Sequence, residues 1–354
     1  MDHASRRRRL VGRLQELGVD AFLVTRLPNV RYLAGFTGSN GQLLVTMDGG
    51  MFLTDGRYEE QSAREVPGLP AKIYSGEFAR PFGEACGELG ARAVAFEAAG
   101  LTFRSYEDLS GAQVKLVPTR DEVERIRWIK DSEEVELLRA AQALTDDGFD
   151  FITKQLVEGV TEQEVAFELE TFLRRGGDGV AFDTIVAFGE SAAEPHHSPT
   201  DRPLSHGDVV KMDFGARVDG YHADMTRTVA FGSASSELEE IYEIVRRAQQ
   251  AGVDAVKAGV TGAQADRAAR EIIVQAGYGD QFKHSLGHGV GLEVHEGPSL
   301  RVTSEDVLPE GTEVTVEPGN YLHGVGGVRI EDMVEVTSAG ARVMPRTTKE
   351  LVVL

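Results

Sequence analysis

Two aspartates lie close together in a stretch of sequence that is patterned as a β-hairpin. Asp219-Gly220 is a two-residue turn between alternating flanks, and a turn of this length fixes the register of its strands. In that register Asp213 faces Thr226, and Asp224 lies diagonally beside Asp213 on the same face, with the Cα atoms ~7–8 Å apart. Two like charges this close on a half-buried face cost free energy unless a cation lies between them. The sequence therefore predicts a cation site or, as the simpler alternative, two exposed aspartates on a polar face.

A second hairpin adds two glutamates and an arginine. Residues 312–317 are patterned as a strand, and residues 327–336 as its return strand. Glu317 ends the first strand, while Glu331 lies within the apolar alternation of the second, where a carboxylate without a partner is costly. Arg329 stands two residues before Glu331 and so shares its face. The pattern predicts that Glu331 faces a cation, or that Arg329 and Glu331 form an ordinary structural ion pair.

A glycine-rich segment, 285–296, lies between the two hairpins and carries His288 and His295. Its glycines permit close backbone approach and unusual torsions. Two of the nine histidines of the chain in such a segment favour a ligand or proton-transfer role. A nucleotide-binding glycine loop is not favoured, because the glycine spacing is wrong and no βαβ unit surrounds the segment.

Together these segments supply four carboxylates and one imidazole, and the carboxylates are Asp213, Asp224, Glu317 and Glu331. Such oxygen and nitrogen donors suit Mn²⁺, Co²⁺, Zn²⁺ or Fe²⁺. Five ligands are too many for one tetrahedral zinc ion, whereas bridging carboxylates hold two metals ~3.5–4 Å apart. A metal pair of this kind activates water and polarises a carbonyl group, so the set predicts a hydrolase.

The region from residue 126 onward contains the elements needed to position these side chains. Four helix starts carry the pattern of a capping box, in which one side chain caps the helix and a Glu or Gln three residues later reaches back. The order is two helices, strands, two helices and strands. It predicts an α+β domain over residues 126–354, with pseudo-duplicated helix pairs packed on one face of an antiparallel sheet. The predicted capping boxes begin at Asp131, Thr161, Ser236 and Thr261.

Residues 1–125 are patterned differently. Short apolar runs alternate with helical patterns, which predicts an α/β domain with a mixed sheet. The charged stretch 118–131 is interpreted as a linker helix, which places the domain boundary near residue 125. We find no catalytic constellation in this first domain. Its predicted strands lie near residues 20–25, 42–46, 51–54, 71–74, 92–96 and 114–118.

The composition is that of a globular protein and excludes several classes. The 354 residues are 41% hydrophobic and 27% charged, unlike a disordered or collagen-like chain. A formal net charge of −20 argues against nucleic acid as a partner, because it repels phosphate. The basic run from Arg6 to Arg9 is interpreted as a solvated helix face. The single cysteine, Cys86, fits a reducing compartment, and we see neither a signal peptide nor an apolar run of ~18 residues. We therefore expect a cytoplasmic protein without a membrane partner.

Five motifs of the second region resemble those of a known family. They match, in order, the metal-dependent aminopeptidases with the pita-bread fold, which include methionine aminopeptidase, aminopeptidase P, prolidase (Xaa-Pro dipeptidase) and the metal-free creatinase. The first region resembles the creatinase-type N-terminal domain in NVRYLAGFTG and LTDGRY, a domain that methionine aminopeptidases generally lack. The five motifs are MDFGA, HADMTRT, GHGVGLEVHE, TVEPGNY and VRIEDM.

The resemblance implies a role for each of the five predicted ligands. Asp213 would bind one metal through both oxygens, Asp224 and Glu331 would bridge two divalent ions, and His288 and Glu317 would complete the coordination. We expect Mn²⁺ as the metal, with Co²⁺, Zn²⁺ or Fe²⁺ as alternatives. The family reaction is attack by a metal-bridging hydroxide, and Glu317 would carry the proton from the bridging water to the leaving imide nitrogen.

The resemblance also implies substrate-binding residues. His196 and His295 match two histidines that contact the substrate near the scissile bond, and His295 would stabilise the tetrahedral intermediate as a donor. Arg329 matches an arginine that neutralises charge near the metals and, in prolidases, helps to bind the substrate carboxylate. Arg301 is a second candidate partner for that carboxylate, with a plain surface arginine as the alternative. His197 stands where a small residue is expected, and we expect it only to pack.

The same resemblance suggests a substrate class. We favour an Xaa-Pro dipeptidase, which needs a cation for the terminal carboxylate of a small peptide with proline in second position. The alternative is an Xaa-Pro aminopeptidase (aminopeptidase P), which needs an open channel for longer peptides. Two further alternatives are a metal-free binding module with the same fold and a phosphoesterase. Related proteins are usually dimers, so we expect a homodimer.

Overall fold

The computed structural model describes all residues from 1 to 354 and divides into two compact units, Met1–Arg127 and Trp128–Leu354. The sequence places its boundary near residue 125, within the helix that ends the first unit. None of the helices combines the length and the apolar character that crossing a membrane requires.

The first unit contains a mixed sheet of six strands, as its alternating pattern predicts. The strand order is β4-β3-β2-β1-β5-β6. Strands β1, β2 and β3 pair antiparallel, whereas the β3–β4, β1–β5 and β5–β6 pairs are parallel. The strands are β1 (Ala21–Val24), β2 (Gln42–Thr46), β3 (Gly49–Asp55), β4 (Ala71–Tyr74), β5 (Ala93–Glu97) and β6 (Lys115–Thr119). The helices are α1 (His3–Leu17), α2 (Leu27–Ala34), α3 (Glu59–Glu65), α4 (Ala79–Glu88), α5 (Phe103–Ser110) and α6 (Glu122–Trp128).

The second unit contains four long helices and thirteen strands. The strands form sheets in the orders β11-β10-β7, β12-β9-β8, β14-β13-β15-β18-β19 and β16-β17. The helices are α7 (Ser132–Ile152), α8 (Glu162–Gly176), α9 (Ser236–Ala255) and α10 (Gly262–Gln275). The strands are β7 (Gly179–Val180), β8 (Ile185–Phe188), β9 (Val209–Phe214), β10 (Ala216–Val218), β11 (Tyr221–His222), β12 (Met225–Ala230), β13 (Gly287–Gly289), β14 (Glu296–Leu300), β15 (Glu313–Val316), β16 (Gly319–Leu322), β17 (Gly326–Arg329), β18 (Asp332–Thr337) and β19 (Gly340–Val343).

The helices of the second unit come in two pairs, each with its own sheet. Helices α7 and α8 bury apolar side chains with β8, β9 and β12, including Leu169 and Met212. Helices α9 and α10 do the same with the five-stranded sheet, including Ile273 and Val314. This arrangement confirms the predicted α+β class.

Three of the four predicted helix starts have a full capping box, at Asp131, Thr161 and Thr261. The fourth is displaced by one residue. Ser235 caps α9 by accepting a hydrogen bond from the backbone of Leu238, and Ser236 is the first helical residue. Both serines are suitable N-cap residues, but only Ser236 has a glutamate three residues later, so the capping-box pattern selects the wrong one.

The hairpin that carries the aspartates has the predicted register. Asp213 in β9 pairs with Thr226 in β12, and Val218 pairs with Tyr221. The predicted return strand 327–336 is wrong in one respect, because the chain forms two strands there rather than one. Strand β17 pairs with β16, and β18 pairs with β15.

Candidate metal centre

The five predicted ligands lie on strands or at strand ends of the second unit. Asp213 lies in β9, Asp224 directly precedes β12, and His288 lies in β13. Glu317 follows β15, and Glu331 lies at the break between β17 and β18. At this break the backbone N–H of Glu331 donates to the carbonyl oxygen of Thr226, in the distant strand β12, at 3.1 Å. Glu331 is thereby held beside the aspartate hairpin rather than within a continuous strand.

The structure brings all five ligands together. Three sets have ligand atoms within 4.8 Å of one another. The Nε2 atom of His288 lies 3.2 Å from Oε1 of Glu317 and 3.6 Å from Oδ2 of Asp224. The Nδ1 atom of the same ring lies 3.1 Å from the carbonyl oxygen of Gly289. As the donor to that oxygen, Nδ1 leaves Nε2 as the ligand atom. The three sets are Asp213-Asp224-Glu331, His288-Glu317-Glu331 and Asp224-His288-His295.

The charges of this cluster are not balanced by the protein. Burial raises the pKa values of Asp224 and Glu331 well above their ordinary range, and the neighbouring carboxylates raise them further. Burial also raises the pKa of Asp213, although Arg329 opposes the shift. Burial acts in the same direction on Glu317, but the hydrogen bond and charge of His288 outweigh it and lower the Glu317 pKa to about 2. A cation among the carboxylates would remove this repulsion.

Two buried carboxylate oxygens support the same conclusion. Oδ1 of Asp213 and Oε1 of Glu331 are buried without a hydrogen-bond partner. Such an atom costs free energy unless something else satisfies it. Because the donors are oxygens and one imidazole nitrogen, the residues fit a hard or borderline divalent cation.

Arg329 is buried beside this cluster and forms four contacts. Its Nη2 atom donates to Asp213, and its Nε atom donates to the hydroxyl of Thr226 at 2.9 Å. Its Nη1 atom donates to the carbonyl oxygen of Pro195 at 3.1 Å and to the hydroxyl of Tyr321 at 3.0 Å. The same Thr226 hydroxyl donates to Oε2 of Glu331 at 2.7 Å. Arg329 thus connects the ligand cluster to the segment that carries His196.

The sequence prediction missed two residues of this network. The hydroxyl of Tyr321 lies 2.8 Å from Nε2 of His284. Both residues belong to segments that carry the predicted ligands, TVEPGNY and FKHSLGHG. A tyrosine and a histidine beside such ligands are the only signal that could have identified them.

One cavity of about 310 Å³ contains the five ligands together with His196, His295 and Arg329. Both histidines are exposed, and the ring of His295 lies 4.3 Å from that of His288 between centroids. The sequence prediction did not include residues 182–185, which line the cavity too. The volume of the cavity lies in the range of small-molecule binding sites.

His197 does more than pack. Its ring is buried between two carboxylates, with Nε2 2.8 Å from Glu162 and Nδ1 2.9 Å from Glu194. These hydrogen bonds raise the pKa of His197 although burial opposes them. The residue therefore holds the segment that follows His196.

Buried Lys211 binds the main chain of the residues that precede His196. It donates to the carbonyl oxygens of Ala192, at 3.0 Å, and of Glu194. Burial and the charge of Arg329 lower its pKa to about 7.

Arg301 is the predicted site residue that the structure does not bring to the cavity. It lies directly after β14, is exposed, and is not among the cavity-lining residues. Its contact with a substrate carboxylate has no support in the geometry and stays a prediction.

Two family models and the sequences of known proteins match nearly the whole chain. Residues 136–338 match metallopeptidase family M24, and residues 6–129 match the creatinase/prolidase N-terminal domain. The chain is 35% identical over 352 residues to an Xaa-Pro dipeptidase of Pyrococcus horikoshii, which covers 98% of each protein.

Solved structures agree with this result. An Xaa-Pro dipeptidase from Bacillus anthracis is 41% identical with a TM-score of 0.97, covering 99% of this chain and all of that one. An X-Pro aminopeptidase from Thermotoga maritima is 37% identical with a TM-score of 0.89, covering 97% of this chain and all of that one. The chain therefore belongs to metallopeptidase family M24 and carries a creatinase/prolidase N-terminal domain.

Proposed function

We propose that the protein is a metal-dependent Xaa-Pro dipeptidase. The observation that carries the proposal is the convergence of four carboxylates and one imidazole in a cavity that also contains His196, His295 and Arg329. The similarity to proteins named Xaa-Pro dipeptidase, over nearly their full length, supports the choice of substrate.

The ligand sets favour two divalent ions. Asp224, Glu331 and His288 each belong to two of the three sets. Of these, only the two carboxylates have a pair of oxygens with which to bridge two ions. Asp213, His288 and Glu317 would complete the coordination, and Mn²⁺ is the ion we propose for this oxygen-rich set. When bound, such ions act as Lewis acids and lower the pKa of a coordinated water.

The remaining chemistry is assigned to residues of the chain. We assign Glu317 as the carboxylate that accepts a proton from the attacking water. It then delivers the proton to the proline nitrogen, which has no N–H in the peptide. His295 donates a hydrogen bond to the carbonyl oxygen as negative charge develops on it. His196 contacts the substrate near the scissile bond.

Arg329 supplies the positive charge that a short peptide needs for its terminal carboxylate. A guanidinium has five N–H donors, and the four contacts of Arg329 leave one donor on Nη2. The group is rigidly held, because Thr226, Tyr321 and the main chain fix its orientation. This supports recognition of a dipeptide carboxylate, in addition to neutralising charge in the ligand cluster.

The test is a competition between Ala-Pro and Ala-Pro-Ala in one tube with the Mn²⁺-loaded protein, followed by mass spectrometry. We expect preferential loss of the dipeptide and no cleavage after chelation of the metal. Preferential loss of the tripeptide would replace the dipeptidase assignment by an aminopeptidase. Cleavage of neither peptide by protein that retains its metal would overturn the peptidase assignment. A homodimer and a cytoplasmic location stay predictions.

A further inference from the structure

His295 occupies an unusual position for a residue that must be placed accurately. It is exposed, it directly precedes β14, and its ring forms no hydrogen bond. Its ring contact is with His288. Histidine side chains that act in catalysis are normally oriented by a further hydrogen bond. Apart from the contact with His288, the placement of His295 therefore depends on its backbone.

The backbone of His295 is followed immediately by a buried ion pair. Nζ of Lys130 lies 2.8 Å from Oε1 of Glu296, and the two side chains are only 1% and 3% exposed. The Glu296 carboxylate also lies against Gly291, where a Cβ atom would approach Oε1 to 2.6 Å. Glu296, at the end of the loop 291–296, therefore pairs with Lys130 and packs against Gly291 at the beginning of the loop.

Lys130 is itself fixed to the five-stranded sheet. Its backbone N–H donates to the carbonyl oxygen of Gly311 at 2.9 Å. The preceding residue, Ile129, forms a β-bridge with Thr312, at the start of the strand that leads to Glu317. The ion pair thus connects the loop that carries His295 with the strand that carries the proposed proton carrier.

A second buried carboxyl group, Glu313, lies in the electrostatic environment of Lys130. Neither of its oxygens has a hydrogen-bond partner. Burial raises its pKa well above the ordinary value, and Lys130 opposes this shift. Burial thus disfavours the charged form of Glu313, and the ion pair that Lys130 forms is with Glu296.

We propose that Lys130 and Glu296 are positioning residues for His295, and that their ion pair holds the loop 291–296 in the geometry needed for catalysis. The inference rests on the proposed peptidase function, because it assigns a purpose to the position of His295. Neither residue is a cavity-lining residue. Their effect on the reaction is therefore exerted through His295.

The decisive variant replaces both residues, as Lys130→Met with Glu296→Gln. A single replacement leaves one buried charge without its partner, which destabilises a protein for reasons unrelated to catalysis. The double variant removes the ion pair without leaving such a charge. We expect kcat for Ala-Pro to fall about 10- to 100-fold, the scale of a misplacement near 1 Å. We expect KM to change less than about threefold and the bound metal to stay at the wild-type stoichiometry. An unchanged kcat would overturn the proposal.

A cycle with His295→Ala tests whether the effect passes through this histidine. If it does, the double replacement lowers kcat in the wild-type background but has no further effect when His295 is already alanine. If the double replacement lowers kcat by the same factor in both backgrounds, the ion pair acts on some group other than His295. Glu97→Gln in the first unit is the matched control, because Glu97 is a similarly buried glutamate outside the site, and it should leave kcat unchanged.

Hydrogen exchange measured by mass spectrometry separates this inference from the proposed function. We expect faster exchange across residues 289–297 in the double variant, with no change in β9. This readout needs no substrate, so it holds even if the wild-type protein cleaves no Xaa-Pro dipeptide. Unchanged exchange across residues 289–297 would overturn the positioning role, whatever the substrate.

Discussion

Each of the two units buries a cluster of carboxylates. The chain supplies hydrogen-bond donors for all the buried oxygens of only one of these clusters. In the first unit, Glu97 is 5% exposed and accepts hydrogen bonds from the backbone N–H groups of Thr25, at 2.7 Å, and Arg26, at 2.8 Å. The side-chain amide of Asn29 donates to its other oxygen at 2.6 Å. Nearby Glu124 accepts from Arg26 and Asn29 in turn. This cluster is complete without any ligand.

The proposed metal centre of the second unit is built in the opposite way. Oε2 of Glu331 accepts from Thr226 at 2.7 Å, whereas Oε1 of Glu331 and Oδ1 of Asp213 have no partner. Burial raises the pKa of Glu331 and of Asp224, just as it raises that of Glu97. Burial and a raised pKa are therefore shared by both clusters. What distinguishes the proposed metal centre from the Glu97 cluster is that several carboxylates converge there and that some of their oxygens receive no donor from the chain.

The largest expected effect comes from replacing a carboxylate of the metal centre by its amide. Asp224→Asn or Glu331→Gln should abolish metal binding and lower kcat for Ala-Pro by more than ~10³-fold, beyond the cost of one lost oxyanion donor. The physical reason is that each residue belongs to two ligand sets. Metal content by atomic spectrometry and kcat should fall together. If Glu331→Gln kept full metal occupancy and activity, the carboxylates of the second unit would be no more a metal site than the Glu97 cluster of the first.

A smaller effect is expected from the one side chain that donates to Glu331. Thr226→Val keeps the shape of the buried side chain but removes the hydroxyl that orients the carboxylate. Loss of such a supporting group typically costs 10–100-fold in metal affinity, and titration of the metal-free variant with Mn²⁺ would measure it. Thr228→Val is the matched control, because its hydroxyl bonds the main chain of Arg329 and contacts no carboxylate of the centre. Equal affinities in the two variants would contradict the role of Thr226.

Local sequence patterns predicted those features that depend on neighbouring residues. The Asp219-Gly220 turn fixed the β9–β12 register, and the capping pattern fixed three helix starts. The four carboxylate ligands followed from residue types on these strands, whereas the choice of His288 followed from the family resemblance, and the structure brings the five residues together.

Features that depend on distant partners could not be predicted in this way. The alternation of residues 327–336 continues through Glu331, so nothing local indicates that the chain changes sheets there. The contact between His284 and Tyr321 joins residues 37 positions apart. The ion pair between Lys130 and Glu296 joins residues 166 positions apart. Only the tertiary structure reveals these pairs.

A third prediction concerns the metal-free protein and the pH dependence of its stability. Burial and the neighbouring carboxylates raise the pKa of Glu331 above its ordinary value of 4.5, so the folded state binds this proton more tightly than the unfolded state. Its contribution to stability is complete below about pH 4.5 and is lost as pH rises through the raised value. The difference in unfolding free energy between wild type and Glu331→Gln should therefore decline as pH rises above 4.5. Urea unfolding in the presence of EDTA measures it, and saturating Mn²⁺ should abolish the decline. A difference that is flat with pH would show that the carboxylates of the centre do not repel one another.

The smallest effect on activity is expected in the satisfied cluster of the first unit. Glu97→Gln places an amide NH₂ among groups that all donate, since the backbone N–H groups of Thr25 and Arg26 and the amide of Asn29 point at the carboxylate. Losing one or two of these bonds should lower the unfolding free energy by about 1–3 kcal/mol, measured by urea unfolding of the full chain. Metal content and kcat should not change, because both oxygens of Glu97 already accept hydrogen bonds from the chain and neither is left to bind a cation. Asn29→Ala should destabilise the protein comparably, because it removes a donor to Glu97 and Glu124. If Glu97→Gln lost metal or activity without a matching loss of stability, the first unit would contribute to the site, and donor satisfaction would no longer separate a structural cluster from a metal centre.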